Sequence, residues 1–178
     1  MLFLAVQLLD VFWSIVVLLG IEKVRIVSGI TATNPLDLYY MPYTHSLVAA
    51  ILWSVAGGVA YLRWRKSDGW SSAAIMATAI FSHWLLDFFV HRPDLPLYDN
   101  RWKVGLSLWN HPAAAFAFEL AILFAGMYAY LRRTNPVSPV GRYGTIALAV
   151  VMMGMQIMVF FGSPPTSDRG AAVTALVL

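Results

Sequence analysis

The chain has 178 residues, 60% hydrophobic and 12% charged, with a mean hydropathy of +0.69. A soluble domain carries about twice that charged fraction, so the composition places the protein in a membrane. The net charge of +3 comes from basic residues scattered at loop ends, which argues against nucleic-acid binding, and the absence of cysteine excludes disulfides and thiolate metal sites.

Five apolar segments run over residues 1–20, 44–63, 71–90, 112–131 and 143–162, each near the ~20 residues a spanning helix needs. The first opens at Met1 without the basic residue that begins a signal peptide. Its Asp10 shares a stripe with Gln7 and Ser14. Gln7 and Ser14 read as packing glue against a neighbouring helix. Asp10, ionisable near mid-membrane, reads as either packing or function. The connection that follows holds Asn34-Pro35-Leu36-Asp37 and is expected to be an ordered loop, with Tyr39 and Tyr40 as interfacial anchors. His45 opens the second segment, beside Thr44 or Ser46 as helix N-cap.

The third segment ends in Ser82-His-Trp-Leu-Leu-Asp-Phe-Phe-Val-His91. His83, Asp87 and His91 recur every four residues and fall in one helical stripe. Ionisable groups are costly at membrane depth, so this row predicts a site. Arg92 follows, able to pair with Asp94 or to hold a phosphate through its guanidinium. Asn110-His111-Pro112 reads as a helix start with Asn110 as cap. Glu119 lies inside the fourth, otherwise apolar segment, as a partner across a pocket or a proton carrier. A sixth apolar run begins near Ala171 and stops at Leu178. The expected architecture is all-α: a polytopic helical membrane bundle with five full transmembrane helices and a truncated sixth, forming one transmembrane domain over residues 1–178 that is incomplete at both ends.

Short connections rich in Arg63, Arg65 and Lys66, and in Arg132, Arg133 and Arg142, are expected on the cytoplasmic side. All four histidines then fall in the outer halves, which predicts a polar pocket open outward.

The chain resembles a bacterial family of small, largely uncharacterised integral membrane proteins. The resemblance rests on Gln7-Leu-Leu-Asp10, Leu19-Gly-Ile-Glu22, Asn34-Pro-Leu-Asp37, Met41-Pro-Tyr-Thr-His-Ser46, Ser82-His-Trp-Leu-Leu-Asp87, His91-Arg-Pro-Asp-Leu-Pro96 and Gly105-Leu-Ser-Leu-Trp-Asn110. More distantly, the order Asp, Thr-His-Ser, His-x-x-x-Asp is similar to inner-membrane metal-dependent hydrolases. That similarity implies a multi-pass protein of the bacterial inner (cytoplasmic) membrane, with Asp10, His45, His83 and Asp87 at the matching positions. Those proteins also carry an early histidine, and His-Arg-Gly before Thr-His-Ser; here nothing precedes Asp10 in that role, and Tyr40-Met41-Pro42-Tyr43 stands in the second place.

Histidine nitrogens and carboxylates without thiolate suit a divalent metal, zinc first. The leading expectation is therefore a hydrolase with His45, His83, Asp87 and Asp10 as metal ligands. Asp10 and Glu119 would be catalytic, and His91 and Arg92 would hold the head group of a lipid or lipid-linked phosphate ester. Two other readings stay open: a small proton- or ion-coupled transporter, and a non-catalytic scaffold. The scarcity of polar residues in the cytoplasmic halves, Gln156 and a few Ser/Thr apart, counts against transport.

Overall fold

The computed structural model describes residues 1–135 and 137–177. The chain is mostly helical. Helices α1 (Leu2–Val6) and α2 (Leu8–Leu18) are followed by strands β1 (Lys23–Ile26) and β2 (Leu36–Tyr40). Then come α3 (Leu47–Trp64), α4 (Gly69–Val90), α5 (Pro112–Arg133), α6 (Pro139–Phe161) and α7 (Asp168–Val177).

Four helices, α3 to α6, are long and apolar enough to cross a membrane. Their large apolar side chains, such as Leu52, Ile75, Phe124 and Met158, are widely exposed on the outside of the bundle, as a lipid-facing surface requires. The first apolar segment is helical on both sides of Gln7, but its longer piece, α2, has only 11 residues. The sixth run is the 10-residue helix α7, which packs on α2 and β1.

The connection between α2 and α3 holds a feature not expected from the sequence. Strands β1 and β2 pair antiparallel, Arg25 opposite Asp37 and Ile26 opposite Leu36, with an irregularity between Lys23 and Arg25. The cause is visible in Lys23-Val24-Arg25-Ile26: polar and apolar residues alternate, and Val24 points into the core.

Two packing contacts position the site. Helix α3 approaches α4 closely at Gly58, where an added Cβ would meet the Ala73 carbonyl at 3.0 Å and the Ala77 Cβ at 3.1 Å. Small residues one turn apart on α4 thus receive α3 as membrane helix pairs do. The 91–111 connection folds over the same end of the bundle. Its Pro96 and Leu97 carbonyls accept the Leu47 and Val48 amides, at 2.9 and 3.2 Å, satisfying the open N-terminus of α3. Asn110 is not the cap of α5: it closes a 3₁₀ turn, Leu108–Asn110, and His111 takes the N-cap position before Pro112.

Candidate metal centre

Four ionisable side chains from three stretches of chain converge beneath the hairpin and the 91–111 connection. Asp10 comes from α2, His45 from the bend just before α3, and His83 and Asp87 from successive turns of α4. Ser46 is the N-cap of α3, accepting the Ala49 amide at 3.1 Å, and this fixes where His45 leaves the helix axis. Trp84 Nε1 donates to the His45 carbonyl at 2.9 Å and ties that bend to α4.

The polar atoms face one another. His45 Nε2 lies 3.3 Å from Asp10 Oδ1 and 3.5 Å from Asp87 Oδ2. His83 Nε2 lies 3.4 Å from Asp10 Oδ1 and 3.3 Å from Asp87 Oδ2. Despite this closeness, His83 Nε2 and Asp87 Oδ2 are buried without a hydrogen-bond partner. Buried polar atoms are normally satisfied. Atoms bonded at ~2.0–2.1 Å to one tetrahedral ion sit ~3.3–3.4 Å apart, so the four nitrogen–oxygen separations have the spacing of metal ligands. Asp10, His45 and His83 each offer a ligand atom within 4.8 Å of the other two, close enough to share an ion.

The orientation of His45 is set from behind. Its Nδ1 lies 2.8 Å from Thr44 Oγ1, and Thr44 Oγ1 donates to Glu22 Oε2 at 2.6 Å. The hydroxyl has one proton, and Glu22 takes it. The imidazole must therefore donate from Nδ1, which leaves the lone pair of Nε2 directed at the cluster. Glu22 is itself 1% exposed and accepts the Tyr43 and Thr44 amides through Oε1 at 2.7 and 3.0 Å. This carboxylate–hydroxyl–histidine chain is the support that metal-binding histidines need. The sequence located Glu22 at the end of the first segment but offered no sign of this role, because its partner lies 22 residues further on.

His91 stands at the edge of the cluster. Its Nε2 is 3.9 Å from Asp87 Oδ1, its Nδ1 is 3.0 Å from Asp94 Oδ1, and its ring packs on Trp109 with centroids 4.4 Å apart. Burial opposes charge on His91, but the Asp94 hydrogen bond and the Asp87 and Asp94 carboxylates outweigh it and raise its pKa above the ordinary value. Its short contact to Asp94 and its longer one to Asp87 set it beside the cluster and not within it. Arg92 belongs to the cap: it pairs with Asp37 and sits 3.0 Å from Asp94, while Arg25 holds the other Asp37 oxygen at 2.5 Å.

Beside the cluster lies a cavity of about 320 Å³ that Asp10 shares with Glu119 of α5 and Gln156 of α6. The structure thus brings Asp10, His45, His83 and Asp87 together, places Glu119 across the cavity, and sets His91 and Arg92 in the roof above. Gln156, grouped by sequence with the cytoplasmic half, lines the same cavity as Asp10 instead. No protein-family model, curated protein or solved structure matches the chain.

Proposed function

We propose that the protein is a metal-dependent hydrolase acting on a membrane lipid, in a bacterial inner membrane that it crosses several times. The bundle on this reading has five full spans, counting the first apolar segment, with α7 as a shorter helix packed beside them. The basic connections at the far end face the cytoplasm, so the cluster opens outward.

One observation carries the reading: two buried polar atoms, His83 Nε2 and Asp87 Oδ2, have no hydrogen-bond partner yet converge on Asp10 and His45. Left bare, such groups cost stability; a shared cation satisfies them all. His45, His83 and Asp87 would hold the ion and leave a position open for water, with Asp10 as a fourth ligand or as the base, and the all-nitrogen-and-oxygen donor set suits zinc. Once bound, it supplies a water with a pKa near ~7 and polarises the scissile group. The protein's residues do the rest. Glu22 and Thr44 fix the tautomer of His45. Asp10 bridges the cluster and the cavity and is placed to orient water. Glu119 faces it, free to carry a proton to the leaving group.

A transport path has less support, because Gln156 joins the cavity and leaves the inner half without it. Reconstituted protein tests the proposal: ester hydrolysis from a mixed bacterial lipid extract should stop with a chelator and return with added zinc. Turnover that ignores the chelator, or that survives His83→Ala, would refute it.

A further inference from the structure

The wall of the cavity has a chemical character of its own. Its polar residues are Gln7, Asp10, Thr33, Asn34, Glu119 and Gln156, and no lysine, arginine or histidine is among the described residues that line it. Three of the six are already engaged, Asp10 with His45 and His83 in the cluster. Thr33 Oγ1 donates to the Trp109 carbonyl at 3.1 Å, and Asn34 Oδ1 accepts the Leu36 amide at 3.0 Å. Gln156 Nε2 is different: it is shielded and has no partner. Such a donor can be satisfied by an acceptor that enters the cavity. Glu119 makes no hydrogen bond or ion pair among the described residues. Met152, Met155, Val159 and Phe160 line the cavity on the same helix as Gln156, α6, and give it an apolar and adaptable wall.

From this juxtaposition we infer that the cavity receives a neutral, hydroxyl- or amide-bearing head group of a membrane lipid and selects against phosphate. The inference rests on the hydrolase reading and names the substrate class for that site. An amide donor beside a carboxyl group matches a hydroxyl or amide, each of which donates and accepts. A phosphate would instead meet the Glu119 carboxyl with no guanidinium or ammonium in the lining to receive it, and an ion held at Asp10 would already have its charge offset by the Asp10 and Asp87 carboxylates. The nearby Arg92 and Arg25 pair with Asp37 and Asp94 in the roof and do not line the cavity. Size agrees as well. About 320 Å³ corresponds to roughly ten waters at ~30 Å³ each. That is room for a glycerol-sized group and its first methylenes, with the tail left along α6 in the bilayer.

The test uses ligands that cannot be hydrolysed. An alkylglycerol ether and its phosphate monoester, of equal chain length, are titrated by calorimetry into the full chain in nanodiscs, with and without bound zinc. The neutral ether should bind at least about tenfold more tightly than the phosphate. Gln156→Leu should weaken the neutral ether about tenfold, the worth of one buried hydrogen bond. Gln156→Lys should reverse the preference by supplying the missing cation. Equal or tighter binding of the phosphate to the unaltered chain would overturn the inference. So would unchanged ether binding by a folded Gln156→Leu protein. A chain that prefers the neutral ether but never takes up metal would leave this inference standing and refute the hydrolase reading alone.

Discussion

Thr44→Val probes how the cluster is held without touching a ligand. Valine nearly matches threonine in shape but removes the hydroxyl that stands 2.8 Å from His45 Nδ1 and 2.6 Å from Glu22 Oε2. The imidazole loses its acceptor and Glu22 loses one donor, in a region closed to solvent. Each unsatisfied group costs about 1–3 kcal/mol, so the metal-free protein should lose about 2 kcal/mol or more of stability. The larger effect falls on the ion. With Nδ1 unanchored, the tautomer that aims the Nε2 lone pair at the cluster is no longer enforced, and loss of such support weakens metal binding about 10–100-fold. Competition with a chromophoric chelator measures the affinity, and thermal unfolding of metal-free protein measures the stability. Thr44→Ser keeps the oxygen and should restore both. Unchanged metal affinity in a destabilised Thr44→Val protein would refute the reasoning, because Thr44 would then serve only the fold.

Other outcomes follow from the same geometry. Metal affinity should fall as pH drops from about 8 to about 5, because protons compete with the ion for the histidine nitrogens; a flat profile over that range in a metal-binding titration would argue against histidine ligands. Gly105→Ala should strongly destabilise the 91–111 roof, because Gly105 has φ +153° and a Cβ there would lie 2.3 Å from the Arg92 carbonyl and 2.5 Å from that of His91. The expected sign is a clear fall in melting temperature, and a wild-type value would contradict the close approach. Arg92→Ala should lower stability by about 1–2 kcal/mol, since Asp37 and Asp94 lose a partner that is itself partly exposed, while metal content stays intact. Loss of lipid binding without loss of stability would instead give Arg92 the head-group role expected from its sequence.

The legible part of this protein lay in short-range patterns. Hydrophobic length gave α3 to α6 within a few residues of their bounds, since lipid demands about twenty apolar residues and little else. The four-residue spacing of His83 and Asp87 put both on one face, where they are. The stripe did not extend unchanged to His91, because α4 ends at Val90 and the extended backbone at His91 turns its ring to Asp94 and Trp109. The hairpin went unread although Lys23-Val-Arg-Ile alternates, since four residues carry little periodicity. What sequence could not show was long-range: that Glu22 returns to Thr44, that Asp37 gathers Arg25 and Arg92, and that Gln156 shares a cavity with Asp10. These depend on how distant segments pack, and no local spacing encodes them.

Elemental analysis of the purified full chain tests the central claim most directly. The account predicts close to one divalent metal per chain, retained through chelator-free purification, and its loss in both His83→Ala and Asp87→Ala proteins that remain folded by circular dichroism. A folded, unaltered chain that takes up no metal on incubation with zinc, or variants that keep the full complement, would contradict it.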